Sequence, residues 1–472
     1  NINLNEKGLK ISVDEVYNPD GVSLVDALVK IGGCTGSFVS NDGLIITNHH
    51  CVFGIVSDVS TVENNYLENG FLAETREKEL SAKGLTCRIT DSYENVSAEV
   101  LEAANTAEDI SQRTTQISKK IKEIVEREEK IDSTIKAEVS EMFVGEQYVL
   151  FRYKTINDVR LVYVPPRSIG EFGGESDNWI WPRHNGDFSF VRAYVAPNGS
   201  SAKYSEENVP YKPKKFLEVN PNGVNEEDFV FILGYPGRTF KHQPSQFLMI
   251  QEKYQLPYVQ DIFSWLINLY EKRGENDPEF ALNIVSEIQG LANTEKNYRG
   301  KMQGLERLNL IQKKQDEEKQ LQSFIDSDPK LKERYGTVLS EIDEVYKDAF
   351  ATGRRNLVLS MLSRNVDYYR LAEIFIDYKK EMLKPEEERK ALYKEDKRGD
   401  FYNTITNLYN SYMPDLDPQI LYKIINDASS FEEFKDLKSF KNFSKEENKQ
   451  DFIDDLYEDT FINDSKEFFD LL

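Results

Sequence analysis

Gly33-Cys-Thr-Gly-Ser-Phe-Val-Ser-Asn-Asp-Gly-Leu-Ile-Ile-Thr-Asn-His-His-Cys51 contains two of the chain's 3 cysteines and two of its 4 histidines. Its first half reads as β structure: Ser37-Phe-Val-Ser40, the turn Asn41-Asp-Gly43, then Leu44-Ile-Ile-Thr47. Asp-Gly supplies the positive φ that a tight turn between two strands needs. The pair His49-His50 admits three meanings: a catalytic base with its neighbour, a metal ligand set, or buried filler. If the pair continues the strand, its rings point to opposite faces and cannot share one ion, so the metal reading is the weakest.

Composition narrows the remaining choices. A chain of 472 residues, with 39% hydrophobic and 12% aromatic content, is long enough for two or three domains with packed cores. The net charge of −23 argues against binding a nucleic-acid backbone and favours cationic ligands such as a peptide amino terminus. No run of apolar residues is long enough for a membrane-spanning helix. The chain opens at Asn1 without an initiator Met or a signal-peptide pattern, a start that reads as processed or trimmed. The cysteines Cys34, Cys51 and Cys87 form no Cys-x-x-Cys or Cys/His zinc pattern, and His242 stands alone. No metal and no cofactor is implied.

Further along, the period of the apolar residues changes. Ile110, Ile117, Ile124 and Ile131, with Ile121, Ile135 and Val139, predict an amphipathic helix or helical hairpin near 96–143. Tyr148 to Tyr153 and Val159 to Val164 predict a hairpin about Asn157-Asp158. Phe188 to Val195 and Phe229 to Leu233 predict further strands. Beyond about Pro244 the pattern is helical to Leu472, with breaks near Pro329, Pro385 and Pro414. The domains expected are therefore a β unit over 1–240 with the helical segment near 96–143 inserted, and an α unit over 241–472.

A histidine set directly before a cysteine, after an apolar strand ending in Thr, resembles the surroundings of the base in the chymotrypsin fold. That resemblance implies a Cys34–Cys51 disulfide stapling two neighbouring strands, and a base held rigidly toward a nucleophile. An orienting acid is then needed. Ile169-Gly-Glu-Phe-Gly-Gly-Glu-Ser-Asp-Asn-Trp-Ile-Trp-Pro-Arg-His-Asn-Gly-Asp-Phe-Ser189 crowds two of the 3 tryptophans into a Gly-rich loop, the kind of segment that builds sites. Asp187, at the start of a strand, is the candidate acid; Asp177 competes with it, and an Asx turn is the structural alternative for either.

Taken with Gly33-Cys-Thr-Gly36, Thr47-Asn-His-His-Cys51 and Gly234-Tyr-Pro-Gly-Arg-Thr239, this loop resembles the family 46 serine peptidases, bacterial dipeptidyl-peptidases that release dipeptides from the free amino terminus of oligopeptides. The resemblance extends from near residue 20 to about residue 310, with looser helical similarity afterwards. It implies an α+β fold: a chymotrypsin-like antiparallel β-barrel, the first of two, plus a large all-α lid. It implies His50 as base, with His49 as runner-up, and Asp187 as its acid. It further implies that Asn178, Trp179 and Asn293 grip the substrate's amino terminus, as carbonyl acceptors and an aromatic wall suit an ammonium group. Oligopeptide substrates, a homodimer, and a periplasmic, cell-surface or secreted location follow from the same likeness and from disulfide use.

One part of the pattern is missing. The family's Gly-flanked serine nucleophile is absent: neither Gly199-Ser-Ser201 nor Gly36-Ser37 offers a credible turn with an oxyanion nest. The expectation is that the second barrel, the serine and the pocket that sets side-chain preference lie beyond Leu472, and that the fragment alone is inactive. The apolar ending Phe468-Phe-Asp-Leu-Leu472 fits a chain that continues. The alternatives are an inactive peptide-binding or interaction module, an endopeptidase, and a metallohydrolase.

Overall fold

The Asp42-Gly43 turn forms as its sequence demands. In the computed structural model, which describes residues 3–472 except 19, 20, 106, 108, 133, 144, 236, 238, 436, 439, 441, 442, 444–448, 459 and the side chains of 110 and 175, strand β2 (Cys34–Phe38) pairs antiparallel with β3 (Leu44–Thr47), Phe38 opposite Ile45. Gly43 has φ +69°, and a Cβ there would lie 2.7 Å from the carbonyl oxygen of Ala193. Only glycine satisfies both conditions.

These strands belong to an 11-stranded sheet. In chain order the remaining strands are β1 (Leu28–Ile31), β4 (Phe71–Leu72), β5 (Leu80–Ser81), β6 (Cys87–Asn95), β7 (Ile135–Phe143), β8 (Gln147–Ile156), β9 (Asp158–Val164), β10 (Ser189–Val195) and β11 (Val209–Pro210). Their order is β4-β9-β10-β3-β2-β1-β6-β8-β7, with β11 on β10 and β5 on β9. The sheet is open, which corrects the expected closed barrel: β4 and β7 end the order and do not pair with each other. Closure would need these two edges to match, and they are 2 and 9 residues long.

Two local expectations also change. The strands expected as a hairpin about Asn157-Asp158 form, but β8 pairs with β6 and β7 while β9 pairs with β10. Only Asn157 separates them, too short a link to reverse the chain, so the backbone turns a corner within the sheet instead. The helical segment ends sooner than expected: helices cover Ser97–Ala104 and Ile110–Ile131, and Ile135–Phe143 is strand β7. Ile117, Ile121 and Ile124 line the helix face packed on Leu150 and Val139, so strand residues of the sheet had mimicked one more helical turn. Phe229 to Leu233 forms no regular strand, and Ile232 is 96% exposed.

The main core lies between the sheet and the helix His49–Val59. Val52, Phe53 and Val56 of that helix pack with Val29, Phe38, Ile45, Leu161 and Val191, all buried. The apolar spacing is the i, i+1, i+4 of one helical face. The Cys34–Cys51 disulfide, implied by the chymotrypsin likeness, is present and ties the start of β2 to the first turn of this helix. Cys87, opposite Ile31 in the sheet, is free and fully buried.

The chain divides into two compact units, residues 1–238 with 278–286, and residues 239–277 with 287–472. The second is helical, including Leu310–Ser327, Val338–Asn365, Asp367–Met382 and Asp417–Ser429. The chain's apolar ending finds partners here: Phe468 is fully buried among Leu371, Phe401 and Ile405.

Replacing Cys34 and Cys51 together by Ala is expected to cost about 3 kcal/mol, the usual value for a loop of this length. A denaturant midpoint that matches the parent's under oxidising conditions would show that the bond contributes nothing.

Candidate active site

The register between β3 and β10 builds the site. Ser189 lies opposite Thr47, so the residues just before β10 meet those just after β3. The chain leaves β3 through Asn48 and enters the helix at His49; the expectation that His49 and His50 continue a strand is corrected here. On a helix, successive side chains differ by about 100°, and the two rings diverge accordingly.

His50 turns to Asp187. Its Nδ1 lies 2.8 Å from Asp187 Oδ2, and its backbone N–H donates to Oδ1 at 3.1 Å. Asn48 Nδ2 donates to Asp187 Oδ2 and to the Asp187 carbonyl oxygen, each at 3.1 Å. The acid is thus held by three donors from one helix start. The His50 side chain is 58% exposed and that of Asp187 26%. Among the described residues no hydrogen bond reaches His50 Nε2, which leaves that nitrogen for a reacting group. Asp187 fixes the ring with Nδ1 protonated, the arrangement in which Nε2 can accept a proton.

The charges respond to this geometry. The hydrogen bond to Asp187 raises the His50 pKa above its ordinary 6.5, against partial burial. Burial alone would raise Asp187, but the hydrogen bonds from the His50 ring and backbone outweigh it, with help from the His50 charge and Asn48, and hold it below 3.8. The signs define a pH window. The His50 contribution to stability is full below 6.5 and is lost as pH rises through the folded value. The Asp187 contribution is present above 3.8 and is lost as pH falls through its folded value.

His49, the runner-up for base, is fully buried, and neither ring nitrogen has a hydrogen-bond partner among the described residues. Burial holds it below the ordinary histidine value, with Asp187 opposing and His50 and Arg167 adding. Asp177, the competing acid, folds back on its own turn: a Cβ on Gly173 would lie 1.9 Å from its Oδ2. Cys34, His50 and Cys51 are the one group of potential ligands found within 4.8 Å of each other among the described residues. Both sulfurs are in the disulfide, so they offer no thiolate to a metal.

The loop ahead of Asp187 is closed at its neck. Gly186 N–H donates to Ile169 O at 2.8 Å, and Asn185 Nδ2 donates to Gly170 O at 3.3 Å. Within the loop Asn178 is buried and its Oδ1 accepts from Arg183 Nη1 at 2.9 Å, while Trp179 is 60% exposed. Asn293 stands exposed on the helix Pro278–Leu308, in the second unit. In the Gly234–Thr239 motif, Tyr235 N–H donates to Thr35 Oγ1 at 2.8 Å; Pro236 and Arg238 lie outside the described residues. Asn48 and Arg183 are site residues that sequence reasoning alone does not single out. Asn48 is legible as a helix-capping residue type at a strand end, whereas Arg183 gives no signal beyond its place in the motif.

A disulfide-tethered histidine and an aspartate are thus brought together at the edge of an antiparallel ladder. The chain belongs to the peptidase S46 family, whose model matches residues 1–472. It is 32% identical over 420 residues to an Asp/Glu-specific dipeptidyl-peptidase of Capnocytophaga gingivalis, covering 89% of this chain and 58% of that protein. It is 36% identical over 340 residues to dipeptidyl-peptidase 7 of the same organism, covering 72% and 47%. A crystal structure of Porphyromonas endodontalis DPP11 in complex with the dipeptide Arg-Asp superposes with a TM-score of 0.81 at 25% identity, over 99% of this chain and 67% of that one. The chain thus spans about half to three-fifths of the length of these curated relatives. They are peptidases of bacteria, and among the described residues no helix is long and apolar enough to cross a membrane.

An NMR titration is expected to place the His50 imidazole above 6.5, and Asp187→Asn to bring it down toward or below that value. An unchanged His50 titration in Asp187→Asn would show that the carboxylate does not control the ring.

Proposed function

We propose that this chain carries the base and acid of a serine exopeptidase that releases dipeptides from the free amino terminus of oligopeptides. The observation that carries the proposal is the 2.8 Å contact between His50 Nδ1 and Asp187 Oδ2, with Nε2 left open. In the forward step His50 Nε2 takes the proton of a serine hydroxyl as its oxygen attacks the scissile carbonyl. His50 then returns that proton to the leaving amine, while Asp187 stabilises the imidazolium. The serine, in this proposal, is contributed from outside residues 1–472.

Asn178, Trp179 and Asn293 are assigned to the substrate's ammonium group. Support comes from the closed loop neck and from the dipeptidyl-peptidase names of the relatives. An oxidising compartment, the periplasm or the cell exterior, belongs to the same proposal because the Cys34–Cys51 bond persists there. The second possibility is a peptide-binding or interaction module that does not turn over substrate.

In the complete protein, His50→Ala is expected to reduce kcat by roughly six orders of magnitude while leaving the fold intact. Retained turnover would remove His50 from the mechanism, and a complete protein that binds peptides without cleaving them would establish the binding module. Acetylating the substrate's amino terminus is expected to abolish cleavage; equal cleavage of blocked and free peptides would identify an endopeptidase. Because the base works unprotonated and its pKa is raised, the acidic limb of kcat/KM is expected above pH 6.5.

A further inference from the structure

His49 has no part in the proton transfers just described, yet the protein buries it completely and gives neither ring nitrogen a hydrogen-bond partner among the described residues. Such a group is costly to bury unless its shape is needed. Its surroundings show the need. A Cβ built on Gly170 would lie 2.7 Å from His49 Cγ, 2.8 Å from Cδ2 and 2.9 Å from Nδ1. Gly170 therefore lies directly against one face of the imidazole. Phe53, one turn along the same helix, meets the ring edge-on with centroids 5.8 Å apart. Phe53 is itself buried in the main core, so the ring has no room to retreat.

Gly170 is also half of the loop neck. Its carbonyl accepts from Asn185, and its neighbour Ile169 accepts from Gly186. Gly186 is tight in turn, since a Cβ there would lie 2.8 Å from Ile169 Cγ2. Everything between the two sides of the neck, including Asn178 and Trp179, is carried by this junction, and Asp187 follows directly after it. Two adjacent histidines of one helical turn thus face the two ends of a single structural unit: His50 holds Asp187, and His49 supports Gly170.

We propose that His49 is a positioning residue whose buried ring seats Gly170 and so sets the distance between the Asn178–Trp179 loop and His50. For an enzyme that counts residues from the amino terminus, that distance fixes which peptide bond reaches the base. This consequence rests on the exopeptidase function proposed above; the packing of His49 on Gly170 does not.

The test is a double-mutant cycle between Gly170→Ala and His49→Ala. In the complete protein, Gly170→Ala is expected to lower kcat/KM for a free-amino tripeptide about 100-fold, with KM raised, as a misplacement of about 1 Å far from the chemistry does. His49→Ala in the Gly170→Ala background vacates the space and is expected to recover most of that loss. An unchanged KM, strictly additive effects, or a fall in kcat alone, as from a smaller active fraction, would each overturn the proposal. A second readout needs no activity: in this chain with Trp265→Phe, emission comes from Trp179 and Trp181 only, and Gly170→Ala is expected to shift it and the double variant to restore it. Unshifted emission overturns the proposal. If Gly170→Ala does not fold, a double variant that folds shows the expected coupling, and one that fails as well overturns it. A parent protein that cleaves no peptide would defeat the exopeptidase function, while the emission cycle still decides the role of His49.

Discussion

The site depends on one alignment, Thr47 opposite Ser189 in the β3–β10 ladder. A strand shifted by a single residue exchanges its two faces, and here it would also carry Asp187 past the helix start that holds it. The alignment is fixed from several sides. Ile45 and Val191 are paired across the ladder and both fully buried, the Gly43 turn closes one end against Ala193, and the disulfide anchors the helix that begins at the other. His50 and Asp187, distant in sequence, therefore meet without either needing a long side chain.

The two histidines show how little of such a site is decided by residue type. His50 is exposed, paired and drawn toward its charged form; His49, its chain neighbour, is buried, without a hydrogen-bond partner among the described residues, and held neutral. Their difference is the rotation of one helical residue. Had the strand continued, as its apolar run suggested, the rings would have faced opposite sides of a sheet and the helix start would not have offered Asp187 a backbone N–H.

The site was more legible in the sequence than the sheet around it. His50, Asp187 and the two cysteines stand in dense, unusual stretches whose chemistry constrains them, and the loop from Ile169 to Asp187 announces itself through Gly and Trp. The sheet misled where periodicity is ambiguous. Ile135 and Val139 fit the helical spacing of Ile117 to Ile131 yet lie in a strand, because Asp132 is already extended and the residues after it pair with β8. Phe229 to Leu233 is a short continuous apolar run like that of a buried strand, yet it pairs with none of the described ones. Which edge a strand seeks is a long-range matter, so neither the open order nor the corner at Asn157 was written locally. Proline breaks fared better: Pro329 opens the helix Pro329–Tyr335, where its fixed φ suits the first turn.

Cys87 adds a consequence of a different kind. Its thiol lies inside the sheet with no exposed surface, and burial pushes its pKa far up, so almost no thiolate forms there. Thiol–disulfide exchange proceeds through thiolate. Once the sheet has packed around this sulfur, Cys87 offers no thiolate to reopen the Cys34–Cys51 bond and no handle for cross-linking to another chain.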